Sequence, residues 1–328
     1  MKDEPRQLPA AREQDATAFD IRTVLIGTSV TTASDEVVRN GLRVARACGA
    51  KVHLAHAFQA PIAYAAGAPY GVPVYIPDVI EARRESRLRL LAAQVARLGV
   101  RPEEEASRTV LEGAPHFLLA ETAAAAGADL VVVAAAEGWE RVKKLLGSTA
   151  DRVVRQAPCP VLVTRGELRV PPRRLLFAVD LSAISGEAMR RGLEVAGALG
   201  GAAGGGGSMI AAALLVVEIE PVVLDTAPEP ALFARLDPAA RVELERFIAA
   251  YLPDPRWRVA PMLRTGHSPA AEILRLADDL EPDLLVLGTH GRRGLRRLLV
   301  GSVAERVLRH STCSVLVVPG AQTEATAA

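Results

Sequence analysis

The chain repeats itself, and the repeat limits what it can fold into more than any other feature. Arg22–Ser29 (RTVLIGTS) and Leu175–Ser182 (LLFAVDLS) are apolar runs that each end in a small polar turn. A helical pattern follows each one, over residues 34–49 and 185–200, with Ser, Glu, Arg, Gly, Leu, Val, Ala and Gly at matching offsets. Both patterns stop at a glycine, Gly49 or Gly200, suited to a left-handed helix cap. Apolar strands are then expected at Val52–Phe58 and Ala211–Ile219. The last thirds agree best. Asp129-Leu-Val-Val-Val opposes Asp283-Leu-Leu-Val-Leu, Gly147-Ser148 opposes Gly301-Ser302, and Cys159-Pro-Val-Leu-Val opposes Cys313-Ser-Val-Leu-Val, all at one spacing. At roughly 150 residues per domain, 328 residues hold two copies of one domain.

The seams are also visible. The expected organisation is a tail over 1–20, a first domain over 21–166, a linker over 167–172, a second domain over 173–320 and a tail over 321–328. Pro171-Pro172 marks the linker. Residues 200–208 (GGAAGGGGS) have no partner in copy one and read as a flexible insertion. They precede a strand instead of following one, so they are not a dinucleotide-binding fingerprint.

Within each copy, runs that are apolar throughout, such as Leu284–Leu287 and Val315–Val318, alternate with amphipathic stretches such as Ala270–Leu280. Strands buried on both faces imply a parallel sheet covered by helices. The expected fold class is therefore α/β, doubly wound, in duplicate. Ligands of such sheets bind at the carboxyl ends of strands where the strand order reverses.

Composition removes several functions. Lys+Arg number 39 against 38 Asp+Glu, and aromatics are 4%, which argues against nucleic acid as a partner. The longest uncharged apolar stretch, Met209–Val217, is far short of a membrane span, and the first residues carry no apolar signal core. A cytoplasmic protein is expected. Cys48, Cys159 and Cys313 form no CxxC pair, and the six histidines show no HExxH spacing, so no metal site is expected. His53 and His56 fall on opposite faces of a strand.

Chemistry concentrates in copy two. Strand Leu284–Leu287 runs into Gly288-Thr-His-Gly291, and an arginine-rich stretch leads on to Gly301-Ser302. The glycines let backbone N–H groups approach a ligand. Ser302, with Glu305 three residues on, reads as a capping box at a helix whose N-terminus suits a phosphate. Spacing alone leaves open that the glycines merely shape a turn and that Ser302 merely caps a helix.

The spacing Gly288-x2-Gly291-x9-Gly301-Ser302, followed by a helix and a terminal apolar strand, resembles the ATP-binding signature of the universal stress protein family. Both copies follow the family's order of elements, and Gly266-His-Ser-Pro269 is similar to its usual turn. The resemblance implies a Rossmann-like, five-stranded, adenine nucleotide alpha hydrolase-like domain in tandem. It also implies ATP, alone or with Mg2+, in copy two. Asp180 would meet the adenosine end, the Val217 backbone would contact adenine, and Gly288, Gly291, Gly301 and Ser302 would hold the phosphates. A stress-response or regulatory role follows, with the two copies paired through their last strands as an internal pseudo-dimer and a homodimer compatible with that pairing. Copy one departs from the signature. Gly27 is read as standing at the place of Asp180, Ala134 replaces Gly288, Glu137 replaces Gly291, and Gly147-Ser148 survives. A carboxylate facing the phosphates would repel them, although Gly138 lies one position along.

Two features remain unassigned. Arg292, Arg293, Arg296 and Arg297 either complement a triphosphate or form a solvated face. Tyr64, Tyr70 and Tyr75 lie in a proline-rich excursion that either covers a ligand or packs over its own domain. No residue reads as catalytic. The competing functions are an enzyme on the same scaffold, performing slow ATP hydrolysis or adenylyl or phosphoryl transfer, and an interaction scaffold without a ligand.

Overall fold

The computed structural model describes residues 20–59, 77–135, 146–200, 209–218, 230–255, 257–289 and 301–320, with backbone alone at 63–64, 73–74 and 230–237. The chain divides into two compact units, Ile21–Glu167 and Leu168 onward, called units one and two below.

Unit one contains β1 (Thr23–Gly27), α1 (Asp35–Cys48), β2 (Lys51–Phe58), the short antiparallel pair β3 (Ala63–Tyr64) and β4 (Pro73–Val74), and α2 (Pro77–Arg97). It continues with β5 (Glu105–Glu112), α3 (Pro115–Ala125), β6 (Leu130–Ala134), α4 (Ser148–Gln156) and β7 (Val161–Thr164). Unit two repeats the scheme with β8 (Arg174–Val179), α5 (Ala183–Ala198), β9 (Ile210–Glu218), α6 (Pro230–Tyr251) and β10 (Val259–Gly266). Then come α7 (Pro269–Leu280), β11 (Leu284–Gly288), α8 (Ser302–His310) and β12 (Ser314–Val318).

The strand order is β7-β6-β1-β2-β5 in unit one and β10-β9-β8-β11-β12 in unit two, all parallel. The central strands carry the core. Val24, Leu25 and Ile26 of β1, like Leu284 to Leu287 of β11, are buried throughout, as strands covered by helices on both faces must be. The expected α/β, doubly wound, tandem architecture is the one observed. The glycine caps are observed too: Gly49 has φ 68° and Gly200 φ 82°.

Two devices recur in both units. The first is a carboxylate clamp. Asp129 Oδ2 accepts from the N–H groups of Arg22 and Thr23, both at 2.9 Å. Asp283 Oδ2 accepts from Arg173 and Arg174 at 2.7 and 2.9 Å. Each clamp ties the start of the fourth main strand to the start of the first and fixes their register. The second is a glycine in the middle of the first helix. A Cβ on Gly41 would collide with Ile26 of β1, and one on Gly192 would stand 2.8 Å from both Phe177 of β8 and Val286 of β11. The missing side chain lets each helix seat directly on the two central strands.

The units differ in how their first two helices are joined. In unit one the Arg97 guanidinium grips Asp35 with bonds of 2.7 and 3.0 Å, which holds the Asp35 carboxyl below the usual carboxylate range. In unit two that junction is aromatic. The Tyr251 ring lies over Gly186, paired with Phe247 at 5.0 Å between centroids. Among the described residues, no helix is long and apolar enough to cross a membrane.

Gly192→Ala is expected to destabilise the protein by about 1–3 kcal/mol through overpacking, although alanine is the better helix former. Urea unfolding would show a lower midpoint with an unchanged slope. An unchanged or raised midpoint would refute the close-approach argument.

Candidate functional site

From β8 the chain of unit two steps outward through β9 to β10 and then returns across β8 to β11 and β12. The crossovers on the two sides of β8 therefore run in opposite directions, leaving a crevice at the carboxyl ends of β8 and β11. Two of the expected residues stand at those strand ends. Asp180 directly follows β8, and Gly288 is the last residue of β11. Val217 lies on β9 beyond Leu215, the last residue paired with β8, and opposite Thr265 of β10.

The turn after β8 shapes the surroundings of Asp180. Leu181 has φ 62°, a left-handed conformation that a leucine adopts only at a cost. The turn brings Asp180 Oδ1 onto the Ser182 N–H at 3.1 Å and the Ser182 hydroxyl at 2.6 Å. The Asp180 N–H donates to Ser185 Oγ at 3.2 Å. Ser182 caps α5 by accepting from the Ser185 N–H, also at 3.2 Å. The carboxylate is thus held beside a helix N-terminus by two groups of Ser182, and the Asp180 backbone by Ser185.

The second wall is built on Thr289. Its N–H donates to the Val318 carbonyl at 3.1 Å, and its own carbonyl accepts from Gly301 N–H at 2.7 Å. The departing and returning ends of the loop are therefore closed on each other. Here the structure corrects the expected capping box. The N-cap of α8 is Gly301, with φ −59° and ψ 148°, and no side chain caps this end. Ser302 is already inside the helix, and Glu305 pairs with Arg309 at 3.0 Å. A glycine at the N-cap has no side-chain oxygen to offer the first-turn N–H groups. Gly291, with His290 and the four arginines, lies outside the described residues.

Unit one keeps the backbone of this wall. Ala135 N–H donates to Thr164 O at 3.0 Å, Gly147 N–H donates to Ala135 O at 2.5 Å, and Gly147 is an N-cap without a side-chain cap. Ala134 ends β6 as Gly288 ends β11, whereas Glu137 and Gly138 lie outside the described residues.

The first strand requires a correction. Gly27 does not occupy the place of Asp180. The clamps match Arg22 with Arg173 and Thr23 with Arg174, so Gly27 matches Ala178 and Ser29 matches Asp180. The turn agrees: Val30 has φ 59° as Leu181 has φ 62°, and Ser29 Oγ lies 2.8 Å from Thr31 Oγ1 as Asp180 lies beside Ser182. The two runs look alike when slid by two residues because both end in short polar turns, and apolar patterning alone does not set that register. Unit one therefore carries a neutral hydroxyl where unit two carries a carboxylate.

Sequence reasoning also missed what fills the end of β1. Thr28 Oγ1 donates to Gln94 Oε1 and lies by Ser34 Oγ, both at 2.9 Å, while Gln94 Nε2 donates to Asp35 at 2.9 Å. His56 Nδ1 sits 2.8 Å from the Thr28 carbonyl, and burial lowers the pKa of this imidazole. The matched residue of unit two, Val179, is a buried apolar side chain. The signal lay in Thr28, Ser34 and Gln94, but their separation in sequence hid it.

Cys159 is buried, which pushes its thiol up to about 12 and leaves it inert. A cavity of about 370 Å³ lies in unit one between α2 and β5, lined by Asp78, Ile80, Glu81, Arg84, Val110 and Glu112. Three carboxylates on its wall make it a poor place for a phosphate. Among the described residues, no group of His, Cys, Asp and Glu could hold a metal ion.

The model of the universal stress protein family matches residues 20–165 and again 172–319. Curated relatives bear that family name. A universal stress protein of Methanocaldococcus jannaschii is 54% identical over 50 residues, 15% of this chain and 29% of that protein. One from Mycobacterium tuberculosis is 27% identical over 205 residues, 58% of this chain and 61% of that protein. Each of these matches spans less than two thirds of the relative's length. Among solved structures, a functionally unknown protein from Pseudomonas aeruginosa superposes with TM-score 0.61 at 18% identity, covering 91% of this chain and 92% of that one. A universal stress protein from Archaeoglobus fulgidus gives TM-score 0.59 at 17% identity over 92% of this chain and 99% of that one. At these identities the structures speak for the fold. With both units matched by the family model, the chain belongs to the universal stress protein family and carries its domain twice in tandem.

Proposed function

We propose that the protein is a nucleotide-binding stress or regulatory protein that holds ATP, alone or with Mg2+, in unit two. The observation that carries this reading is the N-terminus of α8. It opens at the switch point of the sheet, its N-cap is glycine, and no side chain caps its first turn. Such an end presents N–H donors and the positive pole of the helix dipole to an anion. Ser182 holds the Asp180 carboxylate, and the reading has that carboxylate accept from the hydroxyls of a nucleoside. The reading gives Gly288, Gly291, Gly301 and Ser302 to the phosphates, Asp180 to the adenosine end and the Val217 backbone to adenine. It assigns no catalytic residue and a cytoplasmic setting.

Comparison within the chain supports one nucleotide per molecule. Unit one keeps the open helix end at Gly147 but has Ser29 for Asp180, Ala134 for Gly288 and Glu137 for Gly291. Each hydrogen bond lost to a charged phosphate weakens binding by roughly 1.5–3 kcal/mol. Two or three such losses move a micromolar site to millimolar, at about 1.4 kcal/mol per tenfold. Pairing of the two copies through their last strands, as family resemblance implies, belongs to the same proposal.

Three experiments test these points. Calorimetry with ATP is expected to give one site per chain, and Asp180→Ala is expected to remove the signal. Two equivalent sites, with binding surviving that substitution, would overturn the asymmetry. Gly291→Glu, which places copy one's carboxylate in copy two, is expected to abolish ATP binding, and near-native affinity would count against the loop assignment. Limited proteolysis within 166–172 is expected to leave the two halves eluting together, and halves that separate would sink the internal pairing.

A further inference from the structure

The two units anchor the backbone leaving their last strand in different ways. In unit one the segment after β7 is held by α1. Asn40 Nδ2 donates to the Gly166 carbonyl at 2.8 Å, and Arg43 meets Glu167 at 2.7 Å. In unit two the matched position of Asn40 is Arg191, which pairs with Glu187 and Glu194 of its own helix. The segment after β12 is held from the opposite side: Gly320 N–H donates to Thr289 Oγ1 at 3.3 Å. Ala135 stands at the place of Thr289 in unit one, and it has no hydroxyl.

Thr289 is 5% exposed and engages three segments at once. Its N–H is bound to Val318, its carbonyl to Gly301 and its hydroxyl to Gly320. Gly320 also approaches the other wall of the crevice, where a Cβ on it would stand 3.4 Å from Ile184 Cδ1, between Ser182 and Ser185. The backbone beyond β12 therefore lies near the wall carrying Asp180 and is tied to the wall carrying Gly301-Ser302.

We infer that Thr289 is a positioning residue of the unit-two site: its hydroxyl latches Gly320 to the base of the glycine loop, so that site occupancy and the order of the segment after β12 are coupled. A ligand that fixes Gly301-Ser302 also fixes the Thr289 carbonyl and, through the same residue, the acceptor of Gly320. By linkage the reverse holds, and releasing Gly320 weakens the ligand. The inference rests on the nucleotide reading above.

The test combines ATP calorimetry with amide-resolved hydrogen exchange of the full chain, for the wild type, Thr289→Val and Thr289→Ser. In the wild type, ATP is expected to slow exchange of the Gly320 amide several-fold. Thr289→Val is expected to lose that response and to bind ATP about threefold to tenfold more weakly, the equivalent of one net hydrogen bond. Thr289→Ser is expected to restore both. A merely structural role would lower the melting temperature while leaving the ATP response of Gly320 intact, and would overturn the inference. A wild type that binds ATP with no change at Gly320 would also overturn it, even if the valine variant failed to fold. A wild type that binds no ATP would overturn the nucleotide reading and this inference together.

Discussion

The carboxylate clamp at the foot of each sheet is the constraint on which the rest depends. Asp283 accepts two successive backbone N–H groups of β8 from the start of β11, and Asp129 does the same for β1 and β6. A parallel pair has no hairpin to set its register, and a strand buried on both faces has no polar face to set it by alternation. One acceptor shared between adjacent N–H groups favours one register, because a slip would break both charge-assisted bonds. The register it sets decides which residues reach the carboxyl ends together. Asp180 and Gly288 face one crevice because Leu175 is opposite Leu284 at the other end.

Above that frame the two units share several devices at both ends of the sheet and part at the carboxyl end of the first strand. Both retain the clamp, the seating glycine in the first helix, the left-handed turn at Val30 or Leu181 and the glycine N-cap. They part in what closes the first strand. Unit one spends that space on a satisfied network of Thr28, Ser34, Gln94 and Asp35, clasped by Arg97. Unit two fills it with Val179 and with Tyr251 over Gly186, and keeps its polar groups for the turn at Asp180. A buried network that satisfies itself offers little to a ligand, whereas an open helix end beside a braced carboxylate offers a good deal.

The sequence was legible wherever the pattern was local or repeated at a fixed spacing. The tandem α/β architecture and the left-handed glycines at 49 and 200 could be read from it. Two local readings did not survive. Ser302 and Glu305 have capping-box spacing, but the helix starts one residue earlier, at a glycine that donates to Thr289 and leaves the serine inside the first turn. Gly27 was matched to Asp180 because the two apolar runs slide past each other without penalty in sequence.

By itself, then, the sequence determined the class of fold and its duplication. Those follow from hydrophobic periodicity and from glycine and serine at fixed separations, which act over a turn or a strand. Only the tertiary structure decided that Ser29 is the counterpart of Asp180, that Thr28 is tied to Gln94 across 66 residues, and that Thr289 holds Gly320. These depend on which strands lie side by side and in what register. That choice is made by a few half-buried carboxylates reaching for donors more than a hundred residues away, and no periodicity in the chain records it.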